Sequence, residues 1–199
     1  MILTVENQIF RKIVKAGRGV PFFAENFFSY GSPAAIRKAL DRLVGDGKLN
    51  RVARGIYMRQ KISEVIGMIT PGIDELAEAI ARRDRARIAP TGVYALNRLG
   101  LSTQVPMNIT YLTDGAARKV KVGRRTITFK RTTPKNVAAI GETSKLVIQA
   151  LRAMGKDNVT DNTIKQIQGI LKHEDRNRLA HDIRLAPAWI REIIKPVLS

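Results

Sequence analysis

The stretch Ser32–Arg59, SPAAIRKALDRLVGDGKLNRVARGIYMR, reads as a helix, a tight turn and a two-stranded ribbon, with cations on both parts. Ser32 suits the helix start, because its side chain can accept a hydrogen bond from an orphan amide. Pro33 suits the first helical position. Ile36, Leu40 and Leu43 recur at helical spacing and face inward. Ala34, Lys38, Asp41 and Gly45 then take the opposite face, with Arg37 and Arg42 on its flanks, and Gly45 and Gly47 end the helix. Leu49 and Val52 lead into a turn at Ala53-Arg54-Gly55, and Ile56, Tyr57 and Met58 return. Gly55 supplies the positive φ that a tight hairpin often needs.

Toward the N-terminus, Thr4–Ala16 carries Val5, Ile9, Phe10, Ile13 and Val14 on one helical face, and Gly17 and Gly19 stop it. VPFFAENFF predicts a short apolar second helix after Pro21, which Gly31 can end in a left-handed conformation. Three short helices followed by a hairpin are the parts of a winged helix-turn-helix. In that arrangement the third helix lies in the DNA major groove, the second positions it, and the ribbon reaches the flanking phosphates. The expected DNA-binding residues are Ser32 at the helix start, Arg37, Lys38 and Arg42 along the helix, Lys48 after it, and Arg51 and Arg54 on the ribbon. Arg37 and Lys38 are the candidates for reading bases, since both residue types donate to guanine O6 and N7.

Downstream, Ile62–Pro71 reads as a connector between a head at 1–61 and a second domain at 72–199. PGIDELAEAIARRD is a helix with Ile73, Leu76, Ala77 and Ile80 on one face, and Thr91 is placed to cap a short helix that Gly100 ends. NITYLTDG, RKVKVG and RTITFKR are strand-like, with turns at Asp114-Gly115 and Gly123-Arg124. ETSKLVIQALRAMG buries Leu146, Val147, Ala150, Leu151 and Met154. TDNTIKQIQGILK is capped by Thr160 or Asp161, and a final helix restarting at Pro187 packs Trp189, Ile190, Ile193 and Ile194. The expected fold is α+β: a winged helix-turn-helix, then a mixed domain with a small antiparallel sheet and several helices.

Charge is the strongest global property. Among 199 residues, 35 Lys and Arg face 17 Asp and Glu, a formal net charge of +18. The sequence pI near 10.8 is a footprint of nucleic-acid binding, because counterion release drives association with phosphates. Met1–Lys61 holds 12 of the cations and 4 of the anions. Ala116–Ile140 has no acid at all, yet contains Arg118, Lys119, Lys121, Arg124, Arg125, Lys130, Arg131 and Lys135. Val120, Val122, Ile127 and Phe129 alternate inward there, so one face of the small sheet is expected to be strongly positive. It suits a second phosphate contact, an acidic toxin surface, an intramolecular contact with the acidic helix DELAEA, or plain solvation.

At 44% hydrophobic residues the chain has enough apolar material for real cores. Cysteine is absent, which rules out disulfides and thiolate metal sites and fits a reducing cytoplasm. No apolar run approaches the roughly 18–20 residues of a membrane span, and the N-terminus lacks a signal-peptide pattern. A soluble cytoplasmic protein is expected, with no membrane partner.

IRKALDRLVGDGKLNRVARGIY resembles the winged-helix head of the AbiE-type antitoxins, the transcriptional-repressor partners in type IV toxin–antitoxin systems. ARIAPTGVYALNRLGLSTQVPMNITYLTDG and TSKLVIQALRAMGK look like the downstream domain of a short bacterial branch of that group. The resemblance implies a head that binds double-stranded operator DNA and represses its own operon, through contacts from Arg37, Lys38, Arg51 and Arg54. It also implies a C-terminal domain that counters a nucleotidyltransferase-like toxin.

Other chemistry has thin support. HEDRNRLAHD holds His173 and His181, eight positions apart, without the spacing of a tight metal motif, and reads as a solvated polar helix or loop. Phe22, Phe23, Phe27, Phe28 and Trp189 sit among apolar neighbours and read as core. There is no phosphate loop, dinucleotide turn, nucleophile elbow or cysteine nucleophile. The expectation is therefore a non-enzymatic, cofactor-free DNA-binding regulator. The alternatives are a toxin-neutralising protein whose DNA binding is secondary, a stand-alone winged-helix regulator and, last, an enzyme acting on nucleic acid.

Overall fold

The computed structural model describes residues 4–63, 67–69 and 71–198, without the side chains of residues 62, 63, 67 and 68. Helix α1 (Val5–Ala16) begins where Thr4 Oγ1 accepts the N–H of Asn7 at 3.3 Å, a cap for one of the orphan amides of the first turn. Ile9 and Ile13 are fully buried and Val5 and Phe10 pack beside them, whereas Val14, expected on the same face, is 40% exposed at the helix end.

The segment expected as a second α-helix divides into a strand and a 3₁₀ helix. Pro21–Phe23 is strand β1, and Ala24–Tyr30 is the 3₁₀ helix. Proline is tolerated because β1 is an edge strand. Asn26 Oδ1 accepts the Phe23 N–H at 2.7 Å and starts the 3₁₀ turn. Gly31 is extended, with φ 164°, rather than left-handed. A Cβ on it would meet Val5 Cγ2 at 3.1 Å, so close approach to α1 favours glycine here.

Helix α2 (Pro33–Gly45) follows, capped as expected by Ser32 Oγ on the Ala35 N–H at 3.3 Å. It buries Ile36, Ala39, Leu40 and Leu43. Strands β2 (Asn50–Ala53) and β3 (Ile56–Met58) form the ribbon, whose turn holds Gly55 at φ 75°. β1 pairs with β3 in turn (Phe22↔Tyr57), giving an antiparallel sheet of order β1-β3-β2. Ile9, Ile13, Phe22, Phe27, Ile36, Leu40, Leu43, Leu49 and Tyr57 share one core beneath these elements.

Where the sequence predicts a connector, β4 (Lys61–Ser63) and β5 (Gly67–Ile69) pair as an antiparallel ribbon. Their backbone pairing organises the segment without the alternating apolar pattern that marks a strand. Residues 64–66 and 70 of that expected connector lie outside the described residues. Helix α3 (Ile73–Asp84) buries Ile73, Leu76, Ala77 and Ile80. The chain divides inside it into two compact units: Met1–Ala79 with Val120–Arg124, and Ile80–Lys119 with Arg125–Ser199.

The second sheet contains β6 (Ile88–Pro90), β7 (Asn108–Thr113), β8 (Arg118–Val122) and β9 (Arg125–Arg131) in the order β6-β7-β9-β8. It is mixed, not antiparallel: β6 runs antiparallel to β7, but β9 runs parallel to it, with Tyr111 opposite Phe129. The reason is topological. The chain leaves β7, takes the edge position as β8, and turns at Gly123 (φ 58°) so that β9 fills the slot between them. Tyr111 and Phe129 stack at 6.0 Å between centroids, and Tyr94 meets Tyr111 edge-on.

Helix α4 (Val93–Arg98) is preceded by Gly92 at φ 66°, not capped by Thr91. The Thr91 N–H instead donates to Thr110 O and prolongs the β6–β7 ladder. Helices α5 (Glu142–Met154), α6 (Asp161–Leu171), α7 (Arg176–Ile183) and α8 (Ala188–Ile194) complete the unit. Thr160 caps α6 through the Thr163 N–H. Val147, Leu151, Ile167, Leu171, Leu179, Ile190 and Ile194 form their core, with Trp189 and Ile193 half-buried against it. Met154, expected in this core, is only half-buried at the end of α5. Among the described residues, no helix is long and apolar enough to cross a membrane.

Candidate functional site

The exposed side of α2 and the β2–β3 ribbon carry the cations expected to act. Arg37 and Lys38 are exposed, and no hydrogen bond or ion pair among the described residues engages either side chain. Arg54 is likewise exposed and unpaired at the ribbon turn. The Arg51 guanidinium lies 6.0 Å from the centre of the Tyr57 ring, a cation–π placement, and no acceptor among the described residues bonds its N–H groups.

Two of the expected contacts are already engaged. Arg42 reaches Glu6 of α1 at 3.6 Å, and Lys48 binds Asp46 at 2.8 Å. The Asp46 hydrogen bond and charge push the Lys48 pKa up. Both pairs lie at the surface, where water and salt screen them and such pairs are weak. Ser32 is occupied as the α2 cap and contributes position rather than charge.

The helix and the ribbon meet at Tyr57. Burial raises the Tyr57 pKa, with Arg51 opposing and Asp41 adding to the shift, so the α2 carboxylate and the ribbon guanidinium both act on one phenol. Asp41 lies one turn beyond Lys38 on the exposed face of α2. Its position among cations is visible in the sequence, but the electrostatic reach to Tyr57 needs the tertiary fold. On its other flank α2 forms a groove of about 420 Å³ with the start of α1, lined by Thr4, Glu6 and Asn7 and by Lys38 and Arg42.

The second expected group of cations separates into two. Arg118 is withdrawn from solvent: its guanidinium pairs with Asp84 and lies 5.6 Å from the centre of the Phe129 ring. Burial, with Arg83 nearby, pulls its pKa down. Alternation along β8 explains this, since Arg118 points to the side of Val120 and Val122 while Lys119 and Lys121 point away. Lys119, Lys121, Arg124, Arg125, Lys130, Arg131 and Lys135 are exposed, and none has a partner among the described residues.

The histidine-bearing stretch is a structural anchor more than a solvated helix. Asp182 is fully buried and accepts the N–H groups of Ile140 (2.9 Å) and Gly141 (2.8 Å) and the Ser144 hydroxyl (2.5 Å), with His181 Nδ1 at 2.7 Å. Glu174 Oε2 accepts the N–H groups of Thr143 (2.8 Å) and Ser144 (3.0 Å). Glu174 thus satisfies two of the first amides of α5, and Asp182 holds the two residues that lead into the helix. Burial alone raises the Asp182 pKa, but Ser144, His181 and the two backbone donors outweigh it and hold the carboxyl below its usual range. Among the described residues, no group of three or more His, Cys, Asp or Glu is arranged to hold a metal ion.

Comparison with known proteins adds a family without a function. No curated protein matches the chain. Among solved structures, the chain is similar to the RV2827C protein from Mycobacterium tuberculosis, at 15% identity over 98% of this chain and 82% of that chain, with a TM-score of 0.45. The sequence pattern of DUF6088, a family of unknown function, matches residues 8–179. With most of its length matched, the chain belongs to the DUF6088 family.

Proposed function

We propose that this protein is a sequence-specific DNA-binding repressor whose first unit works as a winged helix. The order α1, β1, 3₁₀ helix, α2, β2, β3, with sheet order β1-β3-β2, supports that reading. α2 enters the major groove, with Arg37 and Lys38 at base edges, while Arg51 and Arg54 hold the backbone. Repression follows from occupying a promoter, without catalysis, in the cytoplasm. The resemblance to AbiE-type antitoxins extends the proposal to autoregulation of an operon and to neutralising a nucleotidyltransferase-like toxin.

One observation carries the reading: Arg37, Lys38, Arg51 and Arg54 are exposed and make no ion pair with the protein's own carboxylates among the described residues. Cations left unpaired on a helix and an adjoining ribbon are available to phosphates and guanines. The test is selection from a random duplex pool at physiological salt. Enrichment of one site that protects a promoter is the expected result. A folded protein that enriches no sequence overturns the reading.

A further inference from the structure

The outer face of the four-stranded sheet has a chemistry of its own. Ile109, Tyr111 and Thr113 of β7 and Ile127 and Phe129 of β9 point inward and are buried. Thr110 and Leu112 of β7, and Thr126, Thr128 and Lys130 of β9, therefore point outward. The register sets Thr110 beside Thr128 and Leu112 beside Lys130. β8 adds Lys119, which points away from the side of Arg118, whose guanidinium lies over the inward Phe129 ring. The result is a row of hydroxyls bordered by lysines.

Local acids do not neutralise it. Asp84 is engaged by Arg83 and Arg118, and Asp114 by Arg87 at 2.8 Å. Ala116–Ile140 contributes no further acid. Lys and Thr are among the residue types that bond phosphate and sugar oxygens. Single-strand binders add aromatic platforms on which bases stack. Here Tyr111 and Phe129 are both turned into the core, so the outer face offers charge and hydroxyls without stacking.

We infer that this face, centred on Lys119, Lys130 and the threonines 110, 126 and 128, binds the phosphodiester backbone of duplex nucleic acid without reading its bases. The inference does not depend on the role proposed for α2. Its rival is that lysines on an edge strand only prevent pairing with another sheet edge.

The experiment uses the full chain and a random-sequence duplex, titrated between about 50 and 200 mM salt. The double variant K119Q/K130Q is expected to flatten the slope of log K against log salt by about 2 units, at roughly 0.9 per phosphate neutralised. It keeps whatever sequence preference the parent shows. Lysine-to-arginine changes at the same positions are expected to retain the parent slope, and the parent is expected to bind duplex more tightly than a single strand of equal length. The inference is overturned if the double variant keeps the parent's slope and affinity, whether or not its self-association changes in sedimentation, or if the parent prefers the single strand. The Arg37→Ala/Lys38→Ala variant separates the two sites. A slope change from the sheet variant in that background supports the sheet even where the head variant alone changes nothing.

Discussion

Ser144 Oγ, in the first turn of α5, donates at 2.5 Å to Asp182 Oδ2 of α7, a residue 38 positions away. The same carboxylate receives the Ile140 and Gly141 N–H groups, so one buried charge closes the open end of α5 and ties it to α7. Sequence position gave Asp182 the look of a solvated helix residue. Its surroundings make it a fastening point of the second unit.

Asp182→Asn keeps the size and one acceptor but loses the charge-assisted bonds. It is expected to destabilise the second unit by about 2–3 kcal/mol, the scale for leaving buried donors short of partners. Because the folded-state pKa is lowered, the stabilisation is complete above the unfolded value of about 3.9 and disappears as pH falls through the folded value. Urea unfolding of the parent should therefore show a loss of stability below about pH 4, with a shallower loss in the variant. Identical profiles in the two proteins count against this account.

Gly141 has an ordinary φ of −77°, so alanine there meets no backbone strain. Its Cβ would instead strike the Ser144 hydroxyl and come within 2.6 Å of Glu174 Oε2. Gly141→Ala is expected to cost about 1–3 kcal/mol, as overpacking does, read as a lower thermal midpoint. Gly45→Ala, at a position where a Cβ meets nothing within 4 Å, is the control and should not lower the midpoint.

Replacing Arg51 and Arg54 together by alanine removes two ribbon cations that no protein carboxylate holds among the described residues. Binding should weaken on every duplex, and the salt slope should fall by roughly one unit for each phosphate no longer neutralised. A double variant that binds like the parent shows that the ribbon does not touch DNA.

Lys38→Ala tests base reading on α2. Removing a hydrogen bond to a base edge costs about 1–3 kcal/mol on the preferred site and far less on random duplex, relaxing specificity at one position. Equal effects on both substrates would place Lys38 on a phosphate instead.

Local signals located much of the fold. Ser32 and Thr160 cap their helices, because a cap needs only a side chain three residues from an orphan amide. The ribbon turn at Gly55 is equally local. What escaped depends on partners distant in sequence. β1 is a strand because β3, more than thirty residues later, lies beside it. The β7–β9 pairing is parallel because β8 passes to the outside first, which no alternation pattern in either strand encodes.

The candidate site divides in the same way. Exposure of Arg37, Lys38 and Arg54 followed from helical and hairpin geometry. Engagement of Arg42 by Glu6, and of Arg118 by Asp84 and Phe129, required tertiary neighbours. Alternation along RKVKV did carry a usable signal for Arg118, since it shares a side with Val120 and Val122.

The strand order β6-β7-β9-β8 has a consequence for synthesis. A growing polypeptide delivers β8 to the cell before the strand that must lie between it and β7. Until Arg131 has cleared the ribosome, the open side of β7 has no mate, and β8 has nothing to hold. A nascent chain stalled before Arg125 should be cut readily by protease around Asn108–Val122, and one released past Arg131 should resist, since the β8–β9 hairpin joins as a single piece.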